Sequence, residues 1–467
     1  MNQYRISRRS FLSSTAAVAA AAIVPSQVWG KPKDKNGPTP TPKVVSNGTG
    51  NFRFAQVGCG GKGSSDLSGT IGAGGRVIGM CDVDSVRAAK EFKEHPDVPV
   101  FTDFRKMLDK LDKEIDAVVV STPDHVHAYA ALDAIRRGKH VYVQKPLART
   151  FEECQLLLEA SRKHKVATQM GNQGHSGAGL VLWQKMMEAD AFGEIQHVHT
   201  WSNRPIWPQG MTEVPPAEQA PASLDWDSWI GPQTMRPYAK AYLPFSWRGW
   251  WDFGCGAMGD MACHNMDPAF WILKLGLPTT IKAETSAPAG IAYPKWSIIE
   301  YTFPPTPVAP KGIKMTWYDG KKMPPKPAGI HPQLELGDNG CMIVGSKLTA
   351  KGGSHASPPI PIALGGQEYS ESVKDAEKHW HEVQKTLSGV SHNGSWIEAA
   401  TTGDFKKAGS NFEYAVPMTQ AILLGCIALR FPGKELQWDN EKREFSNLSE
   451  ANQWLKCKPR DGYDLSI

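Results

Sequence analysis

The sequence has no C-x-x-C pair, although it contains eight cysteines, at irregular spacings. That spacing matches neither a zinc site nor a disulfide framework. We therefore expect no metal, and mostly reduced thiols. The cysteines are Cys59, Cys81, Cys154, Cys255, Cys263, Cys341, Cys426 and Cys457.

Long basic blocks, long apolar runs and internal repeats are also missing beyond residue 30. The formal net charge is only +5. These absences argue against a nucleic-acid partner, an integral membrane span and a solenoid fold. The chain has 467 residues, of which 41% are hydrophobic. That length and composition allow two domains with sizeable cores.

The first thirty residues differ from the rest and read as a targeting segment. Arg8 and Arg9 are followed by Phe11 and by an Ala-rich apolar stretch at 16–24, which is too short to span a bilayer. The pattern S-R-R-x-F-L resembles a bacterial twin-arginine signal. We expect residues 1–30 to be a signal peptide and 31–50 a flexible linker. The mature protein would then be periplasmic or extracellular.

Strand and helix patterns alternate from residue 52 to residue 171. This alternation predicts βαβ units and a doubly wound parallel sheet, so that 51–172 form a Rossmann domain. Later segments are longer and less regular. They include sheet-like pieces between 281 and 344, and a long helix at 412–431. We assign 173–431 to a second domain and 432–467 to a tail that packs on the body.

A glycine-rich turn follows the first predicted strand and opens a helix. Gly58, Gly60 and Gly63 fit the pattern G-x-G-x-x-G, with Gly61 and Lys62 between them. In a βαβ unit such glycines allow a tight turn, a close approach to a pyrophosphate and close packing of helix on strand. The turn therefore predicts a dinucleotide site.

An acidic residue ends the second predicted strand. Asp82 lies nineteen residues after Gly63, where a carboxylate can accept from both ribose hydroxyls of NAD. A carboxylate also repels the 2′-phosphate of NADP. We therefore expect NAD, with NADP less favoured, although Arg87 is nearby.

A second group of polar residues follows a glycine-rich run at 254–259. Asp260, His264 and Asp267 are spaced so that one helix, predicted at 259–275, would carry all three on one face. Asp260 could orient His264, and His264 could exchange a proton with an alcohol. A metal site that adds Cys263 is disfavoured by the mixed ligand types.

Two further stretches complete a resemblance. S-T-P-D-H-V-H covers 121–127, and V-Y-V-Q-K-P covers 141–146. With the glycine turn, they resemble the Gfo/Idh/MocA oxidoreductase family. The usual family tripeptide E-K-P has Gln144 in place of glutamate, which removes a carboxylate beside Lys145.

The resemblance implies a fold, a reaction and site residues. It implies a second α/β domain with a large open, mostly antiparallel sheet, carbohydrate or cyclitol substrates, and a homo-oligomer. Lys145, Asp260 and His264 would be catalytic, and Lys145 would also contact the cofactor. Further cofactor contacts would come from Thr122, Pro123 and His125. Substrate contacts are expected from Asp267 and from three residues of aromatic loops, Arg204, Trp207 and Arg248.

Three functions remain open on the sequence. The first is an NAD-dependent oxidoreductase that acts on a sugar, glycoside or cyclitol hydroxyl. The second is an NAD-dependent glycosidase that works by transient oxidation and elimination. The third is a non-catalytic binding protein that kept the fold, for which Gln144 is the only support. The first two would use the same residues, so the sequence does not separate them.

Overall fold

A computed structural model of the protein describes residues 51–286, 290–330, 334–365 and 370–466. The predicted signal and linker, at 1–50, lie outside the described residues. Within these ranges no helix is both long and apolar enough to cross a membrane. All eight cysteines are free thiols, and seven of them are buried.

The first domain is a six-stranded parallel sheet with the order β3-β2-β1-β4-β5-β6. This order changes direction between β1 and β4, which places the ends of those strands at a ligand-binding edge. The strands are β1 (Phe52–Val57), β2 (Gly75–Cys81), β3 (Val100–Phe101), β4 (Ala117–Val120), β5 (His140–Val143) and β6 (Thr168–Met170). The helices between them are α1 (Lys62–Gly72), α2 (Ala89–Glu94), α3 (Phe104–Leu111), α4 (Asp124–Arg136) and α5 (Phe151–His164).

Burial explains why these segments form a parallel sheet. Every residue of β4 and β5 is buried, as expected for central strands that are covered by helices on both faces. Helix α5 begins with a capping box, in which Thr150 accepts from the Glu153 amide and Glu153 accepts from the Thr150 amide. The doubly wound parallel sheet predicted from the sequence is confirmed.

The second domain is built on a nine-stranded sheet with the order β13-β12-β11-β7-β10-β9-β8-β14-β15. Among the strand pairs that the structure describes in this sheet, only β7–β10 is parallel, so the predicted large, mostly antiparallel sheet is confirmed. Its strands are β7 (Ile195–Ser202), β8 (Thr280–Thr285), β9 (Ser297–Phe303), β10 (Ile313–Tyr318), β11 (Asn339–Gly345), β12 (Thr349–Gly352), β13 (Ile360–Ala363), β14 (Glu435–Asp439) and β15 (Glu444–Phe445). Its helices are α6 (Ala178–Glu188), α7 (Trp226–Ile230), α8 (Gly256–Asn265), α9 (Asp267–Leu273), α10 (Glu371–Lys385), α11 (His392–Thr402) and α12 (Phe412–Ala428).

The single helix predicted at 259–275 is wrong. Helix α8 begins earlier, at Gly256, and ends at Asn265, and α9 begins at Asp267 with Pro268 in its first turn. Proline has no N–H and is favoured in the first turn of a helix, so the Asp267-Pro268 pair opens a new helix instead of continuing the old one. Asp260 and Asp267 consequently lie on different helices, α8 and α9.

Two late segments return to the first domain. Trp396, on α11, packs in one core with Phe52, Phe54 and Tyr142. The tail reaches the outer side of α4, where Asp464 pairs with Arg136. The sequence assigned α11 to the second domain, because its pattern carries no sign of the distant surface that it covers.

Candidate functional site

The turn between β1 and α1 has no room for side chains at its glycines. Gly58 has a φ of +82°, and a Cβ there would lie 2.6 Å from the carbonyl oxygen of Ser121. A Cβ on Gly63 would lie 2.0 Å from the carbonyl oxygen of Gly58. The backbone therefore approaches itself as a dinucleotide-binding turn requires, and the loop after β4 lies directly against it. Thr122 and Pro123 are on that loop.

Asp82 is tied to the glycine turn. Its Oδ2 accepts from the amides of Cys59 and Gly60, at 2.7 and 3.0 Å, and its Oδ1 accepts from the Asp84 amide at 3.0 Å. A carboxylate has about four acceptor positions, so the carboxylate keeps capacity for a ribose hydroxyl. The side chain of Arg87 covers the turn, with its Cγ 2.6 Å from where a Cβ on Gly60 would lie.

The carboxylate of Asp260 is the centre of a cluster of cations. Lys145 Nζ donates to the Asp260 carbonyl oxygen at 2.7 Å and to its Oδ1 at 3.0 Å. Arg248 Nε donates to the same Oδ1 at 3.0 Å, and Arg204 Nε lies 3.8 Å from Oδ2. Lys145 follows β5 and Asp260 is on α8, so this ion pair joins the two domains.

Burial alone would raise the pKa of Asp260, but the Lys145 and Arg248 charges outweigh it and hold that pKa below its usual range. The group is therefore a carboxylate at neutral pH. The sequence suggested that Asp260 orients His264. The structure gives Asp260 other partners, namely Lys145 and Arg248, so its place in the site is beside the lysine.

His264 lies one helical turn after Asp260 and is 4% exposed. Its Nδ1 is buried without a hydrogen-bond partner among the described residues. Burial, with help from the charge of Lys145 and from His355, holds the pKa of His264 well below its usual range. The imidazole is therefore neutral at neutral pH and can accept a hydrogen bond.

Gln144 faces a buried carboxylate that the sequence did not single out. Its Nε2 lies 3.1 and 2.9 Å from the two carboxylate oxygens of Asp66, on α1. Asp66 also accepts from Ser121 at 2.7 Å and pairs with Lys62 at 3.0 Å. A carboxyl group, whose pKa is raised by burial, therefore lies against the side chain at position 144 although that position carries glutamine.

Three predicted residues are enclosed by protein. Both ring nitrogens of His125 lie against backbone carbonyls, so the ring has no free nitrogen to offer a cofactor. Asp267 is 1% exposed and accepts from His175 and Tyr414, which uses its carboxylate within the second domain. Trp207 is also buried, and its indole N–H donates to Gln209.

Asp66 and His355 belong to the site although the sequence did not indicate them. Asp66 lies on the first predicted helix and faces inward, so the signal was an aspartate among buried positions of that helix. His355 follows β12, and its ring stacks on that of His264 with 3.8 Å between centroids. It is separated from His264 by ninety-one residues, and no local pattern marks it. In the described part of the chain, no group of three or more His, Cys, Asp or Glu side chains could hold a metal ion.

Comparison with known proteins identifies both domains. Residues 52–172 match a family model described as an oxidoreductase family with an NAD-binding Rossmann fold. Residues 187–306 match the C-terminal α/β domain of the same family. Together the two matches span more than half of the chain.

Curated relatives are similar to a smaller part of this chain. A levoglucosan dehydrogenase from Pseudarthrobacter phenanthrenivorans is 29% identical over 37% of this chain and 36% of its own. A glycosyl hydrolase family 109 protein from Shewanella sp. (strain ANA-3) is 29% identical over 42% of this chain and 45% of its own. The chain therefore spans less than half the length of the curated relatives it matches.

Solved structures bear on the fold. The WlbA dehydrogenase from Bordetella pertussis, crystallised with NADH and UDP-GlcNAcA, aligns with a TM-score of 0.55 at 18% sequence identity. The alignment covers 83% of this chain and 99% of that chain. With both family domains matched in order and the two sheets in place, the chain belongs to the Gfo/Idh/MocA oxidoreductase family and carries its NAD-binding Rossmann domain.

Proposed function

We propose that this protein is an NAD-dependent oxidoreductase that transfers hydride between a hydroxyl of a sugar, glycoside or cyclitol and a tightly held cofactor. The observation that carries the proposal is the Lys145–Asp260 ion pair, with His264 one helical turn away, at the edge of the Rossmann sheet where the glycine turn lies. Relatives that act on carbohydrates, such as the levoglucosan dehydrogenase, support the substrate class.

The residues present fit the cofactor. Gly58, Gly60 and Gly63 form the tight turn that a pyrophosphate would approach, with the Arg87 side chain beside Gly60. Asp82 directly follows β2 and accepts from the amides of this turn. Bound NAD supplies the hydride acceptor. Lys62 extends from the same turn, and we assign it to the cofactor side of the site.

Lys145, Asp260 and His264 have separate roles in the rest of the reaction. Two of the three N–H groups of Lys145 are used by Asp260, which leaves one for the substrate oxygen. The Lys145 ammonium stabilises the negative charge that develops on that oxygen as the hydroxyl proton leaves. We assign acceptance of the hydroxyl proton to His264, whose imidazole is neutral. Asp260, held by Arg248, keeps the Lys145 ammonium in place.

Replacing Asp82 with alanine tests the cofactor side. We expect NAD to bind about 10–150-fold more weakly, because a hydrogen-bonded charge contributes roughly 1.5–3 kcal/mol. The preference for NAD over NADP should narrow at the same time. Titration of cofactor-free protein with both nucleotides measures these changes.

Arg87→Ala is the matched control, because the Arg87 side chain also lies against this turn. It should leave the preference for NAD intact. A wild-type protein that prefers NADP, with the preference lost in Arg87→Ala, would contradict the assignment to Asp82 and transfer it to Arg87.

An oxidative glycosidase is the second candidate, and the likeness to glycosyl hydrolase family 109 proteins favours it. Purified protein should be mixed with sugars, cyclitols and aryl glycosides while nicotinamide absorbance and aglycone release are followed together. A stoichiometric absorbance change without aglycone supports the dehydrogenase. Catalytic aglycone release without net reduction supports the glycosidase, and neither signal with any compound contradicts both.

Export through the twin-arginine route is also part of the proposal, on the basis of Arg8 and Arg9. Changing both to lysine keeps the positive charge but removes the paired guanidinium groups. We expect the protein to accumulate in the cytoplasm, as followed by cell fractionation. Export at the wild-type level would contradict the assignment.

We further propose that the protein forms a homo-oligomer through the open face of the nine-stranded sheet. Side chains such as Glu300 and Lys314, on β9 and β10, are exposed on the sheet. The solution mass, measured by light scattering after size exclusion, tests this, and a monomeric mass at all concentrations would contradict it.

A further inference from the structure

His355 is held in an unusual backbone conformation beside the catalytic helix. Its φ is +59°, and that of Ala356 is +50°, so two successive non-glycine residues are left-handed. Such residues are uncommon and typically occur where surrounding structure fixes them. Here two glycines pack against the backbone of these residues and fix their conformation. A Cβ on Gly174 would lie 2.2 Å from the His355 carbonyl oxygen, and one on Gly179 would lie 2.1 Å from that of Ala356.

A chain of hydrogen bonds determines which ring nitrogen of His355 carries the proton. Asn265 Nδ2 donates to the Trp201 carbonyl at 2.7 Å, which turns Asn265 Oδ1 towards Ser354. The Ser354 hydroxyl donates to that oxygen at 2.9 Å. A hydroxyl has a single proton, so its contact with His355 Nδ1 at 2.6 Å requires Nδ1 to donate. The lone pair of His355 is therefore on Nε2.

His355 lies on the outer side of His264. The two rings stack with 3.8 Å between their centroids and 26° between their planes, and His355 is exposed whereas His264 is buried. Burial of part of the ring, followed by the Lys145 charge, lowers the pKa of His355, and Asp260 acts in the opposite direction. The positive charges of Arg204 and Lys62 add to the lowering. The ring is consequently neutral at neutral pH.

The two neutral imidazoles stack with 3.8 Å between their centroids. That separation suits two neighbouring hydroxyls of one polyol ring. We propose that His355 is a substrate-binding residue whose Nε2 accepts a hydrogen bond from the hydroxyl next to the one that is oxidised, and that Ser354 and Asn265 are positioning residues that fix its tautomer. The proposal rests on the proposed function and narrows its substrates to carbohydrates with a vicinal diol.

The tautomer can be read without any substrate. Long-range proton–nitrogen spectra of the full-length holoenzyme, labelled with ¹⁵N-histidine, distinguish protonated from unprotonated ring nitrogens. The His355 signals are assigned from their loss in His355→Phe. We expect Nδ1 to be protonated and Nε2 unprotonated in the wild type, and a mixture of tautomers in Ser354→Ala. A protonated Nε2 in the wild type would overturn the inference.

Kinetics test the contact itself. The substrate is the compound that gives the largest absorbance change with wild type, compared with its deoxy derivative that lacks the neighbouring hydroxyl. His355→Phe keeps a stacking ring but loses Nε2, so KM for the diol should rise about three- to tenfold, as for one neutral hydrogen bond. KM for the deoxy derivative and the affinity for NAD should not change. His379→Ala, which removes an exposed histidine on α10, is the control.

The outcomes separate this inference from the proposed function. An active wild type whose His355→Phe variant keeps its KM for the diol overturns the contact and leaves the oxidoreductase in place. A wild type that neither reduces NAD nor releases aglycone overturns the proposed function, and the substrate contact with it. An equal rise in KM for both compounds also overturns the contact, because the loss would then not depend on the neighbouring hydroxyl.

Discussion

Lys145→Ala should slow single-turnover reduction of bound NAD by about 10²–10³-fold, the range for loss of one group that stabilises negative charge on the reacting oxygen. The Lys145 ammonium keeps one unused N–H for the substrate oxygen, whereas Arg248 donates its Nε–H to Asp260. Folding should survive, because Asp260 keeps its bond to Arg248. Stopped-flow absorbance gives the rate, and thermal unfolding gives the stability.

The paired variants show whether the site works as one unit. His264→Ala should fall in the same range, and the double variant should be little slower than either single one, since removal of one partner already disables the site. Lys163→Ala, which removes an exposed lysine from α5, is the control and should react at the wild-type rate. Near-normal rates in both Lys145→Ala and His264→Ala would place the chemistry elsewhere.

Gln144→Glu should destabilise the protein by about 2–4 kcal/mol at pH 7, although it restores the tripeptide usual in the family. The new oxygen would stand where Gln144 Nε2 now lies, within 3.1 Å of both Asp66 oxygens. Two buried carboxylates at that distance share a proton, and the pKa of one of them rises strongly. Burial already raises the pKa of Asp66.

The pH dependence gives the sign of this effect. A carboxyl whose pKa is raised in the folded state is not penalised below its unfolded pKa of about 4.3, and it costs progressively more as pH rises. The deficit relative to wild type should therefore be small near pH 4 and complete at pH 7. Denaturant unfolding at several pH values measures it.

A charge exchange provides the control. Asp66→Asn with Gln144→Glu again places one carboxylate opposite one amide, so most of the lost stability should return. Gln453→Glu, on the exposed surface, adds the same charge and should change little. A double variant no more stable than Gln144→Glu alone would show that the two side chains do not act through their shared contact.

Local patterns explain how much of the fold could be predicted. The glycine turn, β5 at 140–143 and α5 at 151–164 follow from short motifs whose geometry is set by neighbouring residues. The break between α8 and α9 was missed because the apolar spacing continues through it, and because the effect of Pro268 on a helix depends on its surroundings.

Long-range contacts explain what was missed at the site. Asp66 and Gln144 are seventy-eight residues apart, and a single glutamine gives no sign of its carboxylate partner. Arg248 was expected to bind substrate because it lies in an aromatic loop, yet its Nε is bound to Asp260. His355 owes its position to Gly174 and Gly179, which are important only because another loop crosses them.

Transfer of deuterium from substrate to cofactor tests the central claim most directly. A substrate found in the absorbance screen, labelled with deuterium on the carbon that bears the reacting hydroxyl, is incubated with the holoenzyme, and the released cofactor is examined by mass spectrometry. The account predicts one deuterium per reduced nicotinamide in the wild type, formed far more slowly in Lys145→Ala. Reduced cofactor without deuterium, or deuterium transfer at an equal rate in Lys145→Ala, would contradict it.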